Sequence, residues 1–279
     1  MKNILCNFVE NWKDLNEEEK NKVFELTKNN KTISSEQFFK KNSWVKVENF
    51  VELNMINLFY YHILLAEKRL DYLLEKFGKK YVDPDVYGNK EDTQALGSYS
   101  KYGEPIFDAL LSMITPHLEF FTGLKLNPSY TYHRLYKNNA ELKRHKDRPS
   151  CEISVTLCVG FDNNNLENKN FNWPIYVGPK NGKENETGVP VYLNPGDILI
   201  YKGCDLEHWR DPFIGNNHAQ IFLHYAEKSV KNENILNDGR PLLGLPAFYR
   251  NNKAVENNYV KNLSLFEKNK NNEEKEIIY

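Results

Sequence analysis

Two kinds of apolar spacing divide this chain. In its first part, apolar residues recur every three to four positions, the period of a helix with one buried face. That spacing predicts a short amphipathic helix over Glu17 to Lys28, capped near Asn16, and a long helix from Asn54 to Phe77 stopped at Gly78. A further helix is predicted from Pro105 to Phe121, ending near Gly123. Between the first two helices, Trp44 to Val47 reads as a strand leading into Phe50-Val51. The stretch Tyr81 to Tyr102, rich in Asp, Gly, Ser and Tyr, reads as a loop. From Tyr130 the period changes. Tyr130 to Tyr136, Cys151 to Val159, Trp173 to Val177, Val189 to Leu193, Asp197 to Tyr201 and His218 to Tyr225 are short, aromatic and β-branched. Turn residues separate them, the pattern of an antiparallel barrel or sandwich. Asn163 to Asn170 and Gly178 to Thr187 read as polar hairpin loops. Asn251 to Glu276 is rich in Asn, Lys and Glu, too polar to pack apart from Leu263 to Phe266.

Composition adds limits. The 279 residues suit one domain with extra helices, or at most two domains. The formal net charge is −1, so charge gives no reason to expect nucleic acid. No segment reaches the ~20 apolar residues that a membrane helix needs. The stretch Met1 to Glu10 is too short in its apolar part for a signal peptide. Cys151, Cys158 and Cys204 lie in or beside predicted strands, and no pair has zinc-binding spacing. Buried, reduced thiols and a cytoplasmic location are the expectation.

Candidate chemistry lies in Arg134-Leu135-Tyr136 through His145-Lys146-Asp147 and in the later His208. Side chains two apart on an extended chain share a face, so His145 and Asp147 can grip one ion. A third ligand, His208, from a distant strand completes one triangular face of an octahedron. The opposite face stays open, the arrangement of non-haem Fe(II) oxygenases.

At these residues the chain resembles the 2-oxoglutarate- and Fe(II)-dependent oxygenases, most closely their prolyl 4-hydroxylase-like branch. The matching features are Tyr136, His145-Lys146-Asp147, Pro195-Gly196-Asp197, His208, Pro212 and a final strand Ala219 to Tyr225. The likeness runs roughly from Trp44 to Tyr225. It implies a mainly β fold with flanking helices, the double-stranded β-helix (jelly roll, a cupin-like barrel), with an N-terminal helical extension. The implied division is 1–43 as extension, 44–228 as catalytic domain and 229–279 as C-terminal extension. Fe(II), 2-oxoglutarate and O2 are the implied cofactor and cosubstrates, with ascorbate as an optional reductant. The implied reaction is hydroxylation of an unactivated C–H bond, releasing succinate and CO2.

The resemblance also calls for a basic residue that anchors the distal carboxylate of 2-oxoglutarate, usually on the final strand. Here His218 falls at that position, and no Lys or Arg occurs between Pro212 and Glu227. Arg210, which shares a strand face with His208, and Arg134, which shares one with Tyr132 and Tyr136, are the charged candidates. For each, a position facing solvent is the alternative. A guanidinium pointing into a barrel needs an anionic partner. The resemblance gives Tyr136 a hydrogen bond to the same carboxylate. His133 is expected to face away, and His62 and His117 to fall on helices. His224 is read either as a substrate contact or as core packing. Trp209 is read as packing. Ser98 to Tyr102 is read as an ordinary surface loop, with a substrate lid as the alternative.

The resemblance implies a peptidyl side chain or an amino-acid-like small molecule as substrate, with no nucleic-acid or membrane partner expected and no feature fixing the oligomeric state. Two other classes stand beside the oxygenase: another metal-dependent cupin-type enzyme, and a non-catalytic binding protein of the same fold.

Overall fold

The computed structural model describes residues 34–167, 172–228 and 235–252. The helix expected at Glu17 to Lys28 and the apolar patch near Leu263 lie outside these residues. The described helices are α1 (Ser35–Asn42), α2 (Leu53–Phe77), the short α3 (Pro84–Tyr87) and α4 (Pro105–Thr122). The strands are β1 (Trp44–Val47), β2 (Tyr99–Tyr102), β3 (Leu126–Lys137), β4 (Leu142–His145) and β5 (Ile153–Asp162). They continue with β6 (Ile175–Val177), β7 (Val189–Val191), β8 (Ile198–Lys202), β9 (His208–Arg210) and β10 (Asn217–Glu227).

All pairings between these strands are antiparallel. A six-stranded sheet runs β1-β8-β5-β10-β3-β2, and a four-stranded sheet runs β4-β9-β6-β7. From β3 to β10 the chain passes back and forth between the two sheets, with the β6-β7 hairpin within the smaller one, as in a jelly roll, so the expected double-stranded β-helix is present.

The large sheet has two different faces, visible in β10. Ala219, Ile221, Leu223 and Tyr225 join the core beneath α2 and α4. Their neighbours His218, Gln220, Phe222 and His224 alternate to the other face, toward the barrel interior, and are also buried. In β5, Ile153, Val155 and Leu157 join the helix-side core, and Ser154, Thr156 and Cys158 alternate with them. One face therefore holds the fold together, and the other is stocked with polar and aromatic groups.

The Pro-Gly-Asp segment is a structural clasp. Asp197 accepts from the backbone N–H of Asn49 and of Asn194, each at 2.9 Å. Gly196 sits at φ 95°, and a Cβ there would lie 2.6 Å from the Val51 carbonyl oxygen, so only glycine fits.

Three elements differ from the sequence reading. Ser98 to Tyr102 is neither a surface loop nor a lid. Its last four residues form β2, an edge strand on β3, with Ser98, Tyr99 and Ser100 buried. The segment is too short and too rich in Ser to show a period, and tertiary pairing decides its state. Strand β4 (Leu-Lys-Arg-His) was not expected as a strand, because Leu142 is its one buried apolar side chain and the other three residues are charged or polar. Residues Pro149–Cys151 form a 3-10 turn, so β5 begins at Ile153.

Candidate active site

Strands β4 and β9 pair with His145 opposite His208, which sets the two imidazole centroids 4.2 Å apart. Asp147 follows two residues after His145 and is fixed by its backbone N–H to the Gly203 carbonyl at 2.8 Å. The His145 and His208 Nε2 atoms lie 3.6 and 3.5 Å from Asp147 Oδ1. That is too long for a hydrogen bond. It is close to the roughly 3.0–3.5 Å between ligand atoms that each hold one ion at about 2.1 Å.

The tautomers agree. Nδ1 of His145 lies 2.6 Å from the Lys143 carbonyl oxygen, and Nδ1 of His208 lies 3.1 Å from that of Leu206. A carbonyl only accepts, so in each neutral ring Nδ1 carries the hydrogen and Nε2 offers its lone pair inward. Asp147 Oδ2 accepts from Ser154 Oγ at 2.7 Å, which leaves Oδ1 facing the imidazoles. Burial opposes ionisation of Asp147, but the His208 and His145 rings, when protonated, outweigh it and hold its carboxyl well below the usual range; a cation held between the neutral rings would act in the same direction. Donor set, tautomers and carboxylate orientation fit one divalent ion bound by His145, Asp147 and His208.

Two residues that the sequence reading did not single out, Ser154 and Gly203, support this triad. Ser154 also lies 2.9 Å from His224 Nδ1, giving a chain from His224 through Ser154 to Asp147. His224 packs its ring 4.5 Å from Tyr130, and burial pushes its pKa down to about 4. It is a buried group behind the Asp147 carboxylate. At Gly203, a Cβ would stand 2.2 Å from Asp147 Oδ2 and 2.6 Å from the Cys151 carbonyl oxygen. The carboxylate can occupy its position only because residue 203 has no side chain. The alternation of β5 and the glycine directly after β8 were the available signals for these two residues.

Deeper in the barrel, the anchor candidates separate. Arg210 points inward and is 2% exposed. Its Nη1 donates to the Trp173 carbonyl oxygen at 2.6 Å, and the guanidinium stacks 4.7 Å from the Trp173 ring. Its Nε and Nη2 have no partner, and it forms no ion pair with any described carboxylate. Burial pulls its pKa below the ordinary arginine value. His218 lies on the large sheet, its ring 5.3 Å from the same Trp173 ring. Thr156 Oγ1 donates to Gln220 Oε1 at 2.7 Å, so the Gln220 amide N–H faces His218 Nδ1 at 3.1 Å. Nδ1 is therefore the acceptor, and Nε2 carries a hydrogen with no partner. Burial, with the Arg210 charge second, holds His218 neutral.

Arg134 also points inward and is buried, but it is neutralised. It pairs with Asp92, and its Nη1 donates to the Tyr136 hydroxyl at 3.1 Å. Tyr136 is fully buried against Trp173, at 4.9 Å between ring centroids.

The remaining sequence candidates fall elsewhere. His133 faces the helices, packed on Phe107 and Tyr99. Trp209 lies on the outside of the small sheet, stacked on Tyr176 at 5.3 Å with Arg144 over it at 3.7 Å. Cys151 and Cys158 are buried, while Cys204 is only half-buried. Among the described residues no helix is long and apolar enough to cross a membrane.

The chain matches no family model and no curated relative. Solved structures do resemble it. A prolyl-4-hydroxylase from Pseudomonas putida has 15% identity and a TM-score of 0.44, covering 68% of this chain and 95% of its own. HygX from Streptomyces hygroscopicus, solved with nickel and 2-oxoglutarate bound, has 10% identity and a TM-score of 0.48, covering 71% and 88%. AviO1 from Streptomyces viridochromogenes has 15% identity and a TM-score of 0.49, covering 70% and 94%. At these scores the likenesses carry no weight for function, which must come from the side chains of this chain.

Proposed function

We propose that this protein is an Fe(II)- and 2-oxoglutarate-dependent oxygenase that hydroxylates an unactivated C–H bond in a peptidyl side chain or an amino-acid-like small molecule. The observation that carries the reading is Arg210, a buried guanidinium with two unpartnered donors, in the same barrel as the His145, Asp147 and His208 cluster. A buried, unpaired cation is costly, and a carboxylate-bearing ligand relieves that cost.

His145, Asp147 and His208 would hold the iron, leaving its other positions for a bidentate 2-oxo acid and O2. Arg210 Nε and Nη2 would take the distal carboxylate with two parallel hydrogen bonds. His218 would add a neutral Nε2–H donor. The Tyr136 hydroxyl, which already accepts from Arg134, has its own hydrogen free to donate. Fe(II) with 2-oxoglutarate and O2 supplies oxidative decarboxylation to succinate and CO2, coupled to oxidation of the substrate C–H bond. Asp147 fills the carboxylate ligand position, so no site is freed for halide, and this favours hydroxylation. Trp173, Phe213 and Phe222 wall the pocket and exclude water around the anchor.

The test is anaerobic titration of the metal-loaded protein with 2-oxoglutarate, together with succinate formation in air. Saturable binding that is lost in Arg210→Ala, with succinate dependent on 2-oxoglutarate, is expected. A metal-dependent cupin enzyme of another kind would bind the ion but not 2-oxoglutarate. A binding protein of the same fold would form no succinate. Either result refutes the reading.

A further inference from the structure

Residues 235–252 fall in the expected C-terminal extension, yet they fold back onto β2, β3 and the turn that follows Asp147. Arg240 anchors them. Its buried guanidinium donates to Asp108 Oδ2 at 3.0 Å and to the Leu245 and Ser129 carbonyl oxygens at 2.6 and 3.3 Å. Just before it, Asn237, Asp238 and Gly239 run at φ 50°, 57° and 74°. Two successive non-glycine residues in the left-handed region are costly. Such conformations persist where the surroundings fix them, and they cluster at functional sites.

The turn buries the Asp238 carboxylate against Arg148, the residue next to Asp147. Arg148 Nη1 and Nη2 donate to Asp238 Oδ1 and Oδ2 at 2.7 and 2.8 Å, two parallel hydrogen bonds. The Tyr102 hydroxyl donates to Oδ2 at 2.9 Å, and Arg250 Nε lies 2.8 Å from the same oxygen. Held in this way, the Arg148 guanidinium lies 4.7 Å over the Tyr130 ring. Tyr130 packs on His224, which reaches Asp147 through Ser154. The backbone of the turn is fixed separately. The Arg148 carbonyl accepts from the Cys151 N–H at 2.8 Å and from the Cys204 thiol at 3.3 Å. What Asp238 adds is therefore control of the Arg148 side chain and its charge. Arg148 and Asp238 act in opposite directions on the ionisation of both His224 and Cys151, so both charges are felt beside Asp147.

We propose that Asp238 is a positioning residue for the metal site: it pins Arg148 on Tyr130 and cancels its charge, which keeps that guanidinium from competing with a metal ion for the Asp147 carboxylate. The proposal rests on the assignment of His145, Asp147 and His208 as ligands, and not on 2-oxoglutarate or the reaction. Freed from Asp238, Arg148 would be an unpaired cation one residue from a carboxylate that must face the ion. Pairing with Asp147 and repulsion of a divalent cation both weaken metal binding. The Arg148 side chain is 46% exposed, so salt screens its effect.

The test is titration of the full-length protein with Co(II), read by its visible absorption, in wild type, Asp238→Asn, Arg148→Gln and the double variant. Asn tolerates the left-handed turn and keeps an acceptor, so Asp238→Asn should fold. Its Co(II) dissociation constant should rise roughly 3- to 30-fold in dilute buffer, and the loss should shrink near about 1 M salt. Arg148→Gln should bind as tightly as wild type or more tightly. The double variant should return to within about 3-fold of wild type, because the unpaired charge is gone. Unchanged affinity in Asp238→Asn would overturn the proposal. So would equal losses in the two single variants with no recovery in the double, since Asp238 would then only brace the fold. Arg148→Gln changes a half-exposed side chain and can be read even if Asp238→Asn does not fold; weakened binding there also overturns the proposal. Failure of the wild type to take up Co(II) would refute the ligand assignment and the proposal with it. Wild-type uptake with any of the other adverse results refutes the role of Asp238 alone.

Discussion

Removing the Arg210 side chain should have opposite effects on the empty and the ligand-bound protein. Without ligand, Arg210 is a buried cation with one hydrogen bond, to the Trp173 carbonyl, and two orphaned donors. Replacing such a group with an apolar side chain of similar length removes a desolvation cost. Arg210→Met should therefore leave the empty protein as stable as wild type, or more stable by about 1–3 kcal/mol. With 2-oxoglutarate present, the same substitution removes a bidentate, desolvated charge pair worth roughly 2–5 kcal/mol. At about 1.4 kcal/mol per decade, the dissociation constant should rise roughly 30- to 4000-fold. The assay is thermal unfolding of the metal-loaded protein with and without 2-oxoglutarate, plus anaerobic calorimetry. Wild type should gain stability with ligand, and Arg210→Met should not. Affinity in wild type should also stay nearly flat between pH 6 and 9, because the guanidinium stays charged there and His218 stays neutral. A large affinity loss confined to His218→Ala, with affinity falling steeply as pH rises through 6–7, would refute the reasoning and make His218 the charged anchor.

Replacing His145, Asp147 or His208 with Ala should abolish Fe(II) binding in calorimetry while leaving the fold largely intact, and retained wild-type iron affinity in Asp147→Ala would show the triad to be misassigned. Ser154→Ala frees Asp147 Oδ2 and should weaken metal binding by roughly 10- to 100-fold, read by competition with a chelating dye. Gly203→Ala places a methyl group 2.2 Å from Asp147 Oδ2. It should cost more metal affinity than Ser154→Ala, and equal losses would mean that the carboxylate has room to shift. The protein should also lose stability in mild acid. Burial pushes the pKa of His133 down to about 3 and that of His224 to about 4. Below the unfolded value of ~6.5 the unfolded chain takes up protons that the folded chain refuses, at a cost of about 1.4 kcal/mol per pH unit for each group. Chemical denaturation at pH 7 and pH 5 should differ accordingly, and equal midpoints would show that these imidazoles stay accessible to protons.

Much of this architecture is legible in the sequence because long elements repeat a physical signal. Helix α2 was expected from Asn54 to Phe77 and runs from Leu53, since its inner face recurs five times and Gly78 stops it. The two long central strands, β3 and β10, contain the expected stretches with a few residues more at each end. Illegibility begins where side chains serve the pocket rather than the core. Strand β9 reads His-Trp-Arg: its inward positions are a candidate metal ligand and an unpaired guanidinium, and its outward one is aromatic. A hydrophobic period cannot reveal such a strand, although the spacing of His208 and Arg210 does place them on one face. Gly203 and Ser154 were illegible for another reason. Their roles depend on distances of 2.2 and 2.7 Å to Asp147 across the turn and strand, and only the packed structure supplies those distances.

The two inward arginines show what a structure adds to a residue type. Arg134 and Arg210 both reach the barrel interior, and both are almost wholly buried. From sequence they were equivalent candidates for the anchor. The fold gives Arg134 a carboxylate of its own, Asp92, whose Oδ2 also accepts from the Tyr132 hydroxyl at 2.7 Å. It gives Arg210 a backbone carbonyl and the face of a tryptophan. A chain that can neutralise one buried guanidinium internally has no physical reason to leave the other bare unless an anion arrives from outside. The missing partner thus favours Arg210 over Arg134 as the anchor. The orphaned Nε2–H of His218, on the large sheet across the barrel from Arg210, would then have a role that requires no charge: donating one hydrogen bond to a carboxylate held by Arg210.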